Sequence, residues 1–163
     1  MSVNDPAQTD QSSVPRDRSL TSDEPDERAQ VRSYAKAVGL GFLALGALGF
    51  VPVITAHYGE MAFGGSGSGA RLLGIFEVTI VLNLVYLAIG AAGLVGDRTA
   101  VSAKNYLVTA GAIAGLLGVF GLVIDREGSS NLLGVNGADT CLLLLLAVGL
   151  IGLGEWMGRR STD

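Results

Sequence analysis

Four apolar stretches, each long enough to cross a lipid bilayer as a helix, decide what this chain can fold into. They run over residues 34–54, 72–95, 103–124 and 140–157, about 18 to 24 residues each. At 1.5 Å of rise per residue, such a stretch matches a hydrocarbon core of about 30 Å. A soluble core helix rarely runs so far without a charge, and four in succession exclude an ordinary soluble domain. Lipid offers no hydrogen bonds to the backbone, so each stretch must close its bonds internally and form a helix. The connections, residues 55–71, 96–102 and 125–139, are short and set sequence neighbours side by side and antiparallel. The expected fold is all-α, a four-transmembrane-helix antiparallel bundle over residues 31–160 whose first partner is the lipid bilayer.

Residues 1–30 read differently. They hold seven acids against three arginines and almost no bulky apolar side chain. Such a segment cannot bury enough surface to offset its ordering entropy, so it is expected to be a disordered acidic tail. Ser12, Ser13, Ser19, Thr21 and Ser22 would be its modification sites. The net charge of −4 belongs to this tail, and an acidic chain is a poor nucleic-acid binder. The chain start lacks the basic-then-apolar pattern of a signal peptide. Cys141 is the only cysteine and His57 the only histidine, which excludes an internal disulfide and a cysteine-based zinc site. No cofactor is expected.

Orientation follows from Lys and Arg. Arg28, Arg32, Lys36, Arg98, Lys104, Arg159 and Arg160 fall on one side; only Arg71 and Arg126 fall on the other. That asymmetry places both termini in the cytoplasm of a plasma-membrane protein. Tyr34, Tyr58, Tyr106 and Trp156 stand near the span ends, where amphipathic rings favour the headgroup region.

Small residues recur at a spacing of four: Gly111 with Gly115, Ala110 with Ala114 and Gly118, Ala88 with Ala92 and Gly96, Gly154 with Gly158. Such ridges let helix backbones approach closely, within one bundle or between copies in a homo-oligomer.

Polar residues inside the spans are the functional candidates. Glu77 reads as about six residues into the second span, where an ionisable group costs a few kcal/mol. A helical wheel puts Thr79, Asn83, Tyr86, Gly90 and Gly93 on one face and Glu77 on the opposite side. Asn83 and Tyr86 are expected to bond to neighbouring helices, or to line a solute or proton path with Glu77. In the connections, Asp125, Asn131, Asn136 and Asp139 form a polar set. Asp139 is placed to cap the fourth helix, and the set could otherwise hold a hard cation. The run of residues 64–69, Gly-Gly-Ser-Gly-Ser-Gly, fits no phosphate-binding spacing and reads as a flexible linker. His57 with Glu60, Asp125 and Glu127 could serve an outer-face enzyme, but no nucleophile accompanies them.

The run of residues 67–78, then Asn83-Leu84-Val85, Gly90 and Gly93, resembles the domain-of-unknown-function family numbered 4383, bacterial and largely actinobacterial four-span membrane proteins. Gly49-Phe50-Val51-Pro52 with Tyr58-Gly59 fits the same pattern, as does Gly121-Leu122-Val123-Ile124-Asp125 with Asn131, Asn136, Ala138 and Asp139. The resemblance spans about residues 38–155. It implies four spans and no known activity, so no catalytic residue carries over. Where the family pattern has histidines, this chain has Leu82, Tyr86 and Leu143; a histidine-based metal, haem or proton function is not expected here. The expectation is a non-enzymatic structural or accessory bundle of unknown protein partner, with a small oligomeric transporter or channel as the alternative.

Overall fold

The computed structural model describes residues 23–96, 98–125, 128 and 130–160. The modification sites of the tail, Arg126 and Glu127 lie outside them. Four helices carry the fold: α1 (Asp23–Leu48), α2 (Ile80–Gly96), α3 (Ala100–Val123) and α4 (Gly137–Arg160). Three of them contain a segment long and apolar enough to cross a membrane: Ala29–Leu48, Val101–Val123 and Gly137–Met157. The fourth, α2, is a shorter apolar helix.

α1 pairs with α2 and α3 with α4, and the two hairpins meet mainly through α1 against α3. Both hairpins close on glycine. A Cβ on Gly90 would lie 2.6 Å from the backbone N of Leu43 and 2.7 Å from the carbonyl oxygen of Gly39. A Cβ on Gly111 would lie 2.8 Å from Ile151 Cγ1, and one on Gly118 2.8 Å from Leu144. The small-residue ridge of α3 is therefore used inside the bundle, with Ala110 and Ala114 buried beside it. Ala88 and Ala92 instead face outward. Leu82, Leu107 and Leu143 are fully buried at the centre, with Phe42 and Tyr86 ring centroids 6.0 Å apart. Tyr106 is buried as well, its ring against Gly93 and Gly96 at the end of α2.

The helix bounds correct three expectations. α1 starts at Asp23, so the last part of the acidic segment is helical. Pro25 falls in its first turn, where a proline is tolerated. α1 stops at Leu48, ahead of Gly49 and Pro52. The largest difference is in the second span. Residues 72–79 are not helical, and α2 begins at Ile80.

Those residues belong to a small folded cap at the end of the bundle away from the termini. β1 (Thr55–Ala56), β2 (Arg71–Leu72) and β3 (Phe76–Glu77) form an antiparallel sheet in that order, with Thr55 opposite Leu72 and Arg71 opposite Glu77. Left-handed Leu73 (φ 52°) and Gly74 (φ 75°) make the tight β2–β3 turn. Ala70, Leu72 and Val78 form a second, small core beneath the sheet. Periodicity could not announce this: the segment is apolar, but Thr79 captures the helix start. Its Oγ1 accepts from the Leu82 N–H at 3.1 Å, and its carbonyl from the Asn83 N–H at 3.0 Å.

Candidate functional site

The cap gathers most of the polar residues singled out from sequence, and it shows what each one does. Glu77 lies in β3, half-buried, and not inside a membrane helix. Its carboxylate accepts from the backbone N–H groups of Gly67 and Ser68. Two successive N–H groups make a concave anion-binding nest, and Gly67 can shape it because it adopts φ 104°. The glycine-serine run is therefore not a flexible linker. Its N–H groups serve the chain's own Glu77 carboxyl. Burial nonetheless raises the Glu77 pKa above its ordinary 4.5, opposed by the Arg71 charge across the strand pair and by the two N–H groups.

The same run is fastened elsewhere. Ser68 Oγ donates to the Val78 carbonyl at 2.5 Å, Ser66 Oγ donates to the Gly128 carbonyl at 3.0 Å, and the Gly65 N–H donates to the Leu132 carbonyl at 2.8 Å. These last two bonds tie the first connection to the second.

Asn136 and Asp139 form a capping box at the start of α4. The Asp139 N–H donates to Asn136 Oδ1 at 2.9 Å, and the Asn136 N–H donates to Asp139 Oδ2 at 3.0 Å. Both residues also reach the sheet. The Glu77 N–H donates to Asp139 Oδ2 at 3.2 Å, and Asn136 Nδ2 donates to the Ile75 carbonyl at 2.9 Å. Asn131, buried, uses its amide as a short strand partner for Val135: Nδ2 donates to the Val135 carbonyl and Oδ1 accepts from the Val135 N–H. Thr79, missed as a site residue from sequence, donates to the Leu133 carbonyl at 2.8 Å while capping α2. A Ser/Thr ahead of an apolar run was the signal that could have found it. Gly134 (φ 66°) sits so close to Thr79 that a Cβ there would lie 2.5 Å from Thr79 Cγ2. Asp125 is exposed, and its carbonyl accepts from the Gly128 N–H at 3.1 Å.

Below the cap, Asn83 and Tyr86 are buried in the bundle, on the inward face with Thr79, Gly90 and Gly93. The expected bonds to neighbouring helices are not made. Both side-chain amide atoms of Asn83 and the hydroxyls of Tyr86 and Tyr106 lack hydrogen-bond partners. Asn83 packs instead against the bare backbone of Gly49, just past the end of α1. Glu77 and this buried pair therefore do not form one polar face.

On the cap's surface, Ala56, His57, Glu60, Gly69, Arg71 and Gly74 line an open cleft of about 400 Å³. His57 is held in the left-handed region at φ 53°. The cleft brings the single histidine beside Glu60 and Arg71, but its lining includes no hydroxyl or thiol for nucleophilic catalysis. Among the described residues no group of three or more His, Cys, Asp or Glu side chains could hold a metal ion.

A family model, described as a domain of unknown function (DUF4383), matches residues 32–156. No curated protein and no solved structure matches the chain.

Proposed function

The chain belongs to the DUF4383 family, and from that premise we propose that it is a non-enzymatic membrane bundle, structural or accessory to a partner protein. In this reading it sits in the plasma membrane with both termini cytoplasmic and the cap at the opposite, outer end of the bundle. The Lys and Arg asymmetry supports that orientation. The observation that carries the function is how the cap's polar side chains are used. Glu77, Asn136, Asp139 and Thr79 each bond to backbone groups of a neighbouring segment, and Asn131 braces its own connection on Val135. A side chain so engaged holds shape; it is not poised to move a proton or take up a solute. The product is a preformed surface on a membrane anchor. The bundle purified in mild detergent, or crosslinked in its native membrane through exposed Cys141, is expected to carry a second copy or a stoichiometric partner. A strictly monomeric protein with no partner would contradict the proposal.

One observation favours a second reading, a small oligomeric transporter or channel. Asn83 and Tyr86 bury unpartnered polar atoms inside the bundle, which is costly unless something uses them. Flux through reconstituted vesicles that Asn83→Leu abolishes would support that reading over the first.

A further inference from the structure

We propose that the cap is seated in the membrane rather than above it, with the tip of its β2–β3 turn inserted among lipid acyl chains and Arg71 at headgroup level. This rests on the membrane reading of the bundle and deepens it by naming what the cap touches.

Three independent observations converge. The first is length. α2 has 17 residues, a rise of about 25 Å, which is short of the hydrocarbon thickness of about 30 Å. The missing few ångströms must be supplied by what precedes Ile80: the extended residues Val78 and Thr79, with β3 immediately behind them. The second is level. The Glu77 N–H bonds to Asp139, and the next residue of α4, Thr140, packs against Gly121 of α3. β3 therefore stands beside the last two turns of α3, not beyond its end. At that level α3 presents Val119, Leu122 and Val123 outward, 52%, 58% and 82% exposed. A lipid belt that covers those side chains also reaches the cap.

The third is the surface of the cap itself. Val53, Leu73 and Ile75 are 95%, 67% and 57% exposed. They are neighbours: the Leu73 N–H donates to the Ile54 carbonyl, and the Ile75 N–H closes the turn on Leu72. An apolar rim of this kind is anomalous in water but ordinary against lipid. Arg71, exposed, flanks the rim where its stem can run along apolar surface and its guanidinium reach a phosphate.

Non-helical backbone at such depth is tolerated only if its polar groups are satisfied by protein. Here they are. The first N–H groups of α2, normally left to water, donate to the Ala62 and Phe63 carbonyls and to Thr79. At the other end of the bundle, by contrast, the α3 start relies on an exposed Thr99 cap.

The test is spin-label depth in vesicles of phosphatidylethanolamine and phosphatidylglycerol. On a Cys141→Ser background, single labels are placed by Leu73→Cys, Ile75→Cys and Glu60→Cys, with Leu116→Cys on the outward face of α3 reporting insertion of the bundle. The ratio of collision with oxygen to collision with a water-soluble nickel chelate is expected to be severalfold higher at 73 and 75 than at 60, and to approach that at 116. Labels at 73 and 75 that read as aqueous as 60, with 116 still in lipid, overturn the proposal and leave the rim as a protein-docking surface. An aqueous reading at 116 as well would overturn the membrane reading itself.

Discussion

Replacing Asp139 by alanine tests whether the cap is held by the bonds described. Asp139 Oδ2 accepts two backbone N–H groups, from Asn136 at 3.0 Å and from Glu77 at 3.2 Å. The residue is 2% exposed, so water does not replace the lost acceptor freely. Leaving a buried donor unpaired costs about 1–3 kcal/mol. Both donors here are part-buried, so the lower half of that range applies to each, and the expected total is about 2–4 kcal/mol. For a chain of this size about 1 kcal/mol moves the melting temperature by roughly 2–4 °C, so Asp139→Ala should melt roughly 5–15 °C below wild type. Asp139→Asn keeps an oxygen at the same place and should lose less than half as much. The assay is thermal unfolding in mild detergent, followed by tryptophan fluorescence and by monodispersity. An alanine variant that melts at the wild-type temperature would refute the view that the capping box clamps the sheet to α4.

Other outcomes follow from the same geometry. Gly90→Ala would press a methyl into the Leu43 and Gly39 backbone and should lower stability by about 1–3 kcal/mol, whereas Gly149→Ala faces open space and should be neutral or gain up to about 1 kcal/mol; paired thermal melts decide. Asn83→Leu removes two buried, unpartnered polar atoms at similar volume and should raise stability by about 1–3 kcal/mol, so a less stable variant would mean that the amide has a partner. Burial holds the Glu77 carboxyl above its ordinary 4.5, so the folded state binds that proton more tightly than the unfolded chain. Its contribution is full below the ordinary value and is lost as pH rises through the folded value. Melting temperatures taken upward from about pH 4 should therefore decline with a component that Glu77→Gln removes; equal slopes in the two proteins would contradict this.

How much of this was legible in the sequence depends on the length scale. Four helices follow from hydropathy alone, because lipid leaves the backbone no other way to close its bonds. The inward face of α2 also follows from its periodicity: Asn83, Tyr86, Gly90 and Gly93 are all buried. The boundary of α2 does not. Residues 72–78 are as apolar as a helix requires, and only Thr79, with the carbonyl partners waiting at Ala62 and Phe63, makes the chain extended there. Those partners come from a different part of the chain, which local patterning cannot see. The consequence for the candidate site was large, since Glu77 changed from a charge buried in a helix to a carboxyl held by a glycine nest. The role of the glycine-serine run failed for the same reason. Its composition signals flexibility, yet each of its ends bonds to a segment distant in sequence. The capping role of Asp139 was readable because a cap is local; its second bond, to Glu77, was not.

Polar residues that hold a membrane-anchored surface in shape, as proposed above, do not move a solute. Proton and monovalent-cation flux through vesicles reconstituted with the full chain tests that proposal most directly. Flux is expected to be no greater than in empty vesicles, for wild type and Glu77→Gln alike. Flux in the wild type that Glu77→Gln abolishes would contradict it.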